Sequence, residues 1–302
     1  MKQRSPIFSN FDQRSQQRKS AVLGVSLMSN FCKKASSFYG GVICDWNKLL
    51  TLVLVLGALL VLSPLIVVVQ SSFTTQDHHF TTANYQQAWY QGKFLLAFAN
   101  STMVALGVTA LQIFTSALAG YALARLKFKG KQAILLLILA TLIIPFQLLV
   151  IPVFIILKWA HLINSYWSLI LPTAASGFGI FLMRQYFASV PIELEEAAAL
   201  DGANRLQILT QIMLPLSRPA LITLFLFTFI GEWNDLFKPL VFTTRPELIT
   251  VQLALSEFQE QFTSDWSLLM AAVIIATIPV LALFLIGQKQ FIKGIGSTGI
   301  KS

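Results

Sequence analysis

The sequence predicts an all-α polytopic membrane protein with six transmembrane helices. Three observations predict it. Of 302 residues, 55% are hydrophobic, only 12% are charged, and the apolar residues gather into six long runs separated by more basic segments. Mean hydropathy is +0.68, whereas a soluble domain usually carries about 25% charged residues. A helix needs about 20 apolar residues to cross the hydrocarbon core, and each run is long enough.

Residues 1–48 read as a cytoplasmic N-terminal tail without a fold of its own. They are polar and basic, and their eight Lys and Arg suit an anionic membrane surface. The apolar stretch 21–28 is short for a signal peptide and has no small-residue cleavage site. Cys32 and Cys44 match no metal spacing and read as reduced thiols in such a tail.

The first span is residues 49–69, with Pro64 as a kink site. The second, 94–121, contains Asn100, Ser101 and Gln112, so one face should be buried in protein rather than lipid. The third, 133–157, is interrupted by Pro145 and Pro152, with Gln147 between them. Broken helices at membrane depth are tolerated only where protein or water meets the freed backbone groups. The fourth, 166–187, carries Pro172, Gly177 and Gly179. The fifth, 219–240, opens with Ser217 as N-cap and Pro219 in the first turn. The sixth, 266–287, contains Pro279 and leads into a tail at 288–302. The connections 70–93 and 241–265 read as brief external loops.

Lys and Arg set the orientation. Eight lie in the tail, four in 122–132, three in 184–218 and three beyond 288, against four on the alternate side: Lys93, Lys158, Lys238 and Arg245. This bias places both termini in the cytoplasm. A net charge of +9 is thereby explained by cytoplasmic loops, and no nucleic-acid partner is expected.

The segment 189–215 is too regular for a connector. Ser189 can cap a helix whose first turns carry Pro191, Glu193, Glu195 and Glu196, which suits the helix dipole. Ala197, Ala198 and Ala199 favour helix. Asp201-Gly202 then turns the chain, since Gly readily takes positive φ. A second amphipathic helix follows, with Leu206, Leu209, Ile212 and Met213 on one side, ended by Pro215. Such a bent pair suits a groove on another protein, or an interfacial position on lipid; the residues alone leave both open.

The segment resembles the coupling loop of binding-protein-dependent ABC importer permeases. That family's pattern is met at Glu196-Ala197-Ala198, Gly202, Ile212 and Leu214-Pro215, seven positions at the family spacing. The resemblance runs from about Phe94 to the C-terminus and is nearest to carbohydrate permeases. It includes Asn100-Ser101, the run Ala119 to Arg125, Ile144-Pro145, Gly231-Glu232-Trp233-Asn234, Met270-Ala271-Ala272 and Lys293-Gly294. The chain departs from the family in its longer N-terminal tail. The resemblance implies a type I importer permease fold over 94–287, in a bacterial plasma (inner) membrane. It implies a cytoplasmic ABC ATPase that docks on the loop and binds ATP and Mg. It also implies a second permease subunit forming a heterodimer, and an extracytoplasmic solute-binding protein. No cofactor or metal is expected in this chain, which has no Gly-Lys-Ser/Thr phosphate loop.

For the substrate pathway the candidates are Glu232, Trp233 and Asn234, with Asn100 and Gln147. Glu232 lies about 21 Å along the fifth span from Arg218, and an intramembrane acid is a functional candidate. An aromatic beside amide and carboxylate groups suits a sugar. Structural readings stay open: an interfacial aromatic for Trp233, and interhelical hydrogen bonding for Glu232, Asn100 and Gln147. The adjacent Asp77-His78-His79 lacks further ligands at metal spacing. An ion-driven secondary transporter lacks paired intramembrane acids here. A membrane-embedded enzyme lacks histidines within the spans, and a permease for another small solute is the nearest alternative.

Overall fold

A computed structural model describes residues 50–75, 79–262 and 265–299, with side chains as far as Gln288. The expected tail with Cys32 and Cys44, the Asp77-His78 pair and the last three residues lie outside the described residues. The chain divides into two units, residues 1–67 and 68–302. In the first, the described part is the apolar helix that opens at Leu50. This helix, α1 (Leu50–Ser72), has the length and composition to cross a membrane, and Pro64 sits inside it without ending it.

The second unit is helical; among the described residues the only strand-like feature is a bridge between Thr74 and Phe80. In order come α2 (Ala83–Gln91), α3 (Phe94–Arg125), α4 (Lys131–Thr141), α5 (Phe146–Trp159), α6 (Tyr166–Ile170, prolonged by a tighter turn at Leu171–Thr173) and α7 (Gly177–Ser189). There follow α8 (Glu193–Leu200), α9 (Arg205–Leu216), α10 (Arg218–Trp233), α11 (Phe237–Phe242), α12 (Val251–Gln261) and α13 (Trp266–Gly299). Helices α1, α3 and α13 can cross a membrane singly. The count rises to six when each bent pair is one span: α4/α5 at 99°, α6/α7 at 47° and α9/α10 at 80°. The helix α13 runs through much of the expected C-terminal tail.

Several boundaries differ from expectation. Only one of the two prolines breaks the third span. Pro145 takes an extended ψ of 137° and begins α5, whereas Pro152 is carried inside that helix. The fifth span stops at Trp233 instead of Leu240. Asp235 is the reason: its Oδ1 accepts the Phe237 N–H at 2.9 Å and the Lys238 N–H at 3.3 Å, capping a new helix, α11. The two connections expected to be external loops, 70–93 and 241–265, are not plain loops, since they carry α2 and α12. On α12, Val251, Ala254 and Phe258 fall on one face and are buried. They share a core with Ala88, Phe94, Trp233 and Leu268.

Helix α3 is the axis of this unit, and its polar side chains serve the backbone of its neighbours. Asn100, Ser101 and Gln112 are all buried, as their clustering predicts. Asn100 Nδ2 donates to the Glu247 and Ile249 carbonyls, both at 2.8 Å, and its Oδ1 accepts the Tyr166 hydroxyl at 2.7 Å. Ser101 Oγ accepts the Val251 N–H at 2.9 Å. Lower down, Gln112 donates to the Thr173 carbonyl at 2.7 Å and Thr115 to that of Ala174 at 3.1 Å. Both carbonyls belong to the break between α6 and α7, so α3 meets the groups that the break frees. The two helices touch at Gly120, where a Cβ would lie 2.8 Å from Met183 Cβ and 2.9 Å from the Arg184 nitrogen.

Candidate functional site

The segment 189–216 folds as an elbow. Ser189 does not cap α8. It ends α7, its hydroxyl turned back onto the Tyr186 carbonyl at 2.7 Å, and α8 begins after Ile192. Glu193, Glu195 and Glu196 stand in the first turn, where the helix dipole favours acids. The helix closes as the sequence predicts. Gly202 has φ +88°, its N–H bonds Ala199 O at 3.1 Å, and the Ala203 N–H bonds Ala198 O at 2.9 Å. This double closure needs a left-handed residue at position 202. Asn204 then caps α9 in a reciprocal box with Gln207, with bonds of 2.9 and 2.8 Å.

The second arm corrects the amphipathic reading. Residues Ile208–Met213 are wound as a π-helix, which shifts the buried face by a residue. Ile208, Leu209 and Met213 are buried, whereas Leu206, expected beside Leu209, is 62% exposed. Pro215 lies in the final turn, and the chain bends at Ser217, a buried residue that makes no cap bond to α10.

The family-pattern residues divide between two faces. Glu196, Ala197, Gly202 and Pro215 are exposed; Ala198, Ile212 and Leu214 are half-buried. Ala198 and Leu214 pack on a core containing Tyr121, Met183, Phe187 and Met213. The outer face also shows apolar side chains that the fold leaves uncovered, Ile192, Leu194 and Leu200, the last 89% exposed.

Sequence reasoning missed the residue that fixes the elbow. Glu195 is buried, while its neighbour Glu196 faces out. Arg125 Nε stands 2.6 Å from Glu195 Oε1, a charge contact rather than an aligned hydrogen bond. The Tyr121 hydroxyl donates to Glu195 Oε2 at 3.2 Å, and Arg205 Nη1 lies 4.0 Å from the same oxygen. Arg125 also donates to the Val190 carbonyl. A cavity of about 630 Å³ opens beside this cluster, bordered by Arg125, Lys127, Phe128, Glu195, Glu196 and Arg205. The available signal was the doublet Glu195-Glu196: adjacent helical side chains point about 100° apart, so one of two successive acids turns inward.

The pathway candidates differ in exposure and in partners. Glu232 Oε2 pairs with Lys238 Nζ at 2.5 Å, and Lys238 also meets Asp235 at 3.3 Å, Thr173 Oγ1 at 2.8 Å and the Leu169 carbonyl at 3.2 Å. Lys238, expected at the far end of the fifth span, is buried, and two carboxylates offset its charge. Trp233 is buried too, its indole N–H on the Ala276 carbonyl at 3.1 Å and its ring edge-on to Phe98. Asn234 is exposed and accepts from Gln252 at 3.2 Å. Gln147 is exposed and Asn100 buried. Among the described residues, no three His, Cys, Asp or Glu side chains lie together as a metal would need.

Comparison with known proteins gives this architecture a family. The family model of the binding-protein-dependent transport system inner membrane component matches residues 112–297. The probable ABC transporter permease protein YurM of Bacillus subtilis is 36% identical over 250 residues, covering 79% of this chain and 83% of that protein. The sulfoquinovosyl glycerol transport system permease protein SmoH of Agrobacterium fabrum is 35% identical over 226 residues, covering 74% and 79%. A chain of a bacterial ABC transporter involved in the import of the acidic polysaccharide alginate superposes with a TM-score of 0.71 at 26% identity, covering 82% of this chain and 96% of that one. The helical layout is accordingly the type I importer permease fold. With more than half its length matched, the chain belongs to the binding-protein-dependent transport system inner membrane components, the multi-pass permeases of ABC transporters, and is not itself an enzyme.

Proposed function

We propose that this chain is the permease subunit of an ATP-driven importer of a sugar or sugar derivative, and that its elbow receives a cytoplasmic ATPase. The observation that carries this reading is the outer face of the elbow. Gly202 at φ +88° sets the angle between α8 and α9, and Leu200, Ile192 and Glu196 are left exposed around it. An apolar helix end flanked by an acid suits a groove in a partner. ATP and Mg then belong to that partner. A second permease completes the pathway, and a solute-binding protein delivers the solute from outside. The Lys and Arg bias supports cytoplasmic termini, with the elbow on the same side. A sugar is favoured by relatives whose names speak of sulfoquinovosyl glycerol and alginate.

On the route itself, Asn234 and Gln147 are exposed and suit a lining role, whereas Trp233 and Asn100 are buried and suit holding the helices together. Alternating access follows if ATPase closure moves the elbow and favours one of two packings of the spans. The test uses the whole transporter in proteoliposomes, with a radiolabelled sugar that the wild type takes up. Replacing Gly202 with Trp should leave the chain inserted and ATP hydrolysed, but stop uptake. Wild-type uptake in that variant would overturn the coupling role.

A further inference from the structure

The reading of the elbow as the ATPase seat leaves open how its motion reaches the outside. Among the described helices long enough to cross a membrane singly, α1 contains Pro64 and α13 contains Pro279, and the remaining spans are broken pairs. Helix α3 alone is continuous and free of proline over 32 residues. Its ends are gripped by side chains that reach far along the sequence. At one end Arg125 and Tyr121 hold Glu195, and Arg125 also holds the Val190 carbonyl. At the other, Asn100 and Ser101 hold the backbone of Glu247, Ile249 and Val251. The two grips are about 36 Å apart along the helix.

We propose that α3 is a connecting rod: Glu195 and Arg125 are positioning residues that hand the displacement of the elbow to α3, and Asn100 and Ser101 deliver it to the external segment 247–251. That segment adjoins a cavity of about 760 Å³ bordered by Asn164, Tyr166, Thr244 and Leu248. A stiff helix transmits displacement only if both ends are held, and packed interiors shift between discrete arrangements rather than stretch. The inference rests on the proposed seat of the ATPase.

The test reads the external segment directly. Glu247→Cys, with Cys32→Ser and Cys44→Ser, is placed in the assembled transporter and labelled from outside with an impermeant maleimide. Labelling is compared with and without nucleotide trapped by MgATP and orthovanadate. The expected result is a change in labelling rate on trapping, lost in Glu195→Gln and regained in the double variant Arg125→Glu with Glu195→Arg. No change in the parent, an undiminished change in Glu195→Gln, or no recovery in the double variant overturns the rod. If Glu195→Gln fails to assemble, Asn100→Ala replaces it, since it leaves the elbow intact; an undiminished change there overturns the rod as well. Leu200→Glu separates the two ideas. If the ATPase stays with the purified Leu200→Glu complex, the seat itself is wrong. If the ATPase is released but Glu195→Gln keeps the trapping response, only the rod is wrong.

Discussion

Two acids in this permease, Glu195 buried and Glu232 half-buried, are each paired with a basic side chain, yet their pairs are built differently. Glu232 meets Lys238 six residues later, and their cluster closes the gap between α10 and α11 while holding the α6 carbonyl of Leu169. Glu195 meets Arg125 from a helix 70 positions earlier, with Tyr121 and Arg205 closing on the same carboxylate. The first cluster staples the α10–α11 gap to the break after α6. The second is a clamp between elements that could otherwise separate. The contrast teaches that buried charge alone does not mark a transport pathway. What differs is the ion pair itself, six residues apart in the first cluster and 70 apart in the second, although Lys238 also ties in Leu169 and Thr173 of the preceding span.

The largest effect should come from breaking the staple. Lys238→Met takes the shared cation from the half-buried Glu232 and Asp235, a loss of about 3 kcal/mol, the low end for a broken buried pair. It should appear as a lower unfolding midpoint in detergent, with the ATPase still bound. Adding Glu232→Gln should recover part of it, and an unchanged midpoint would refute the staple. Glu195→Gln should cost less, about 1–3 kcal/mol, because Arg125 keeps the Val190 carbonyl and borders an open cavity. Its uptake per ATP should fall further than its stability. Equal losses in both would make the clamp no different from the staple.

Gly202→Val should cost about 1–2 kcal/mol, from the left-handed backbone alone. No atom stands within 4 Å of the added Cβ, so Gly202→Asn, which tolerates that region, should be milder in thermal unfolding. If Val and Asn are alike, the strain lies elsewhere. The smallest effect is expected from Asn204→Ala, about 1 kcal/mol through loss of the capping box. Amide exchange in the first turn of α9 should quicken while the Glu195 cluster stays protected. Quickening at both would join the two arms into one cooperative unit.

Much of the elbow was legible in the residues. Acids near the start of α8, the Gly202 turn and a helix after Asn204 are local matters of capping and φ, decided within a few positions. Ser217 holds the N-cap position of α10 as its composition suggests, though without a cap bond, whereas Ser189 does not cap α8. Ser189 instead bonds back within α7, and Ser217 is buried at an 80° bend. An α-helical period puts Leu206 on the inner face, and the π-turns of α9 shift that period. Pro145 and Pro152 look alike in the chain, but only the surroundings select the one that breaks.

By itself the sequence determined the membrane class, the all-helical character and the Gly202 turn of the elbow. These follow from apolar run length and short-range spacing, which distant contacts do not alter. Only the tertiary structure decided which of the adjacent acids Glu195 and Glu196 turns inward, and that Lys238 is buried among carboxylates. It also decided that Asn100 and Ser101 serve a segment nearly 150 residues away. The physical reason is that a buried polar group takes whichever partner the packing brings within hydrogen-bond reach. Here those partners come from other helices.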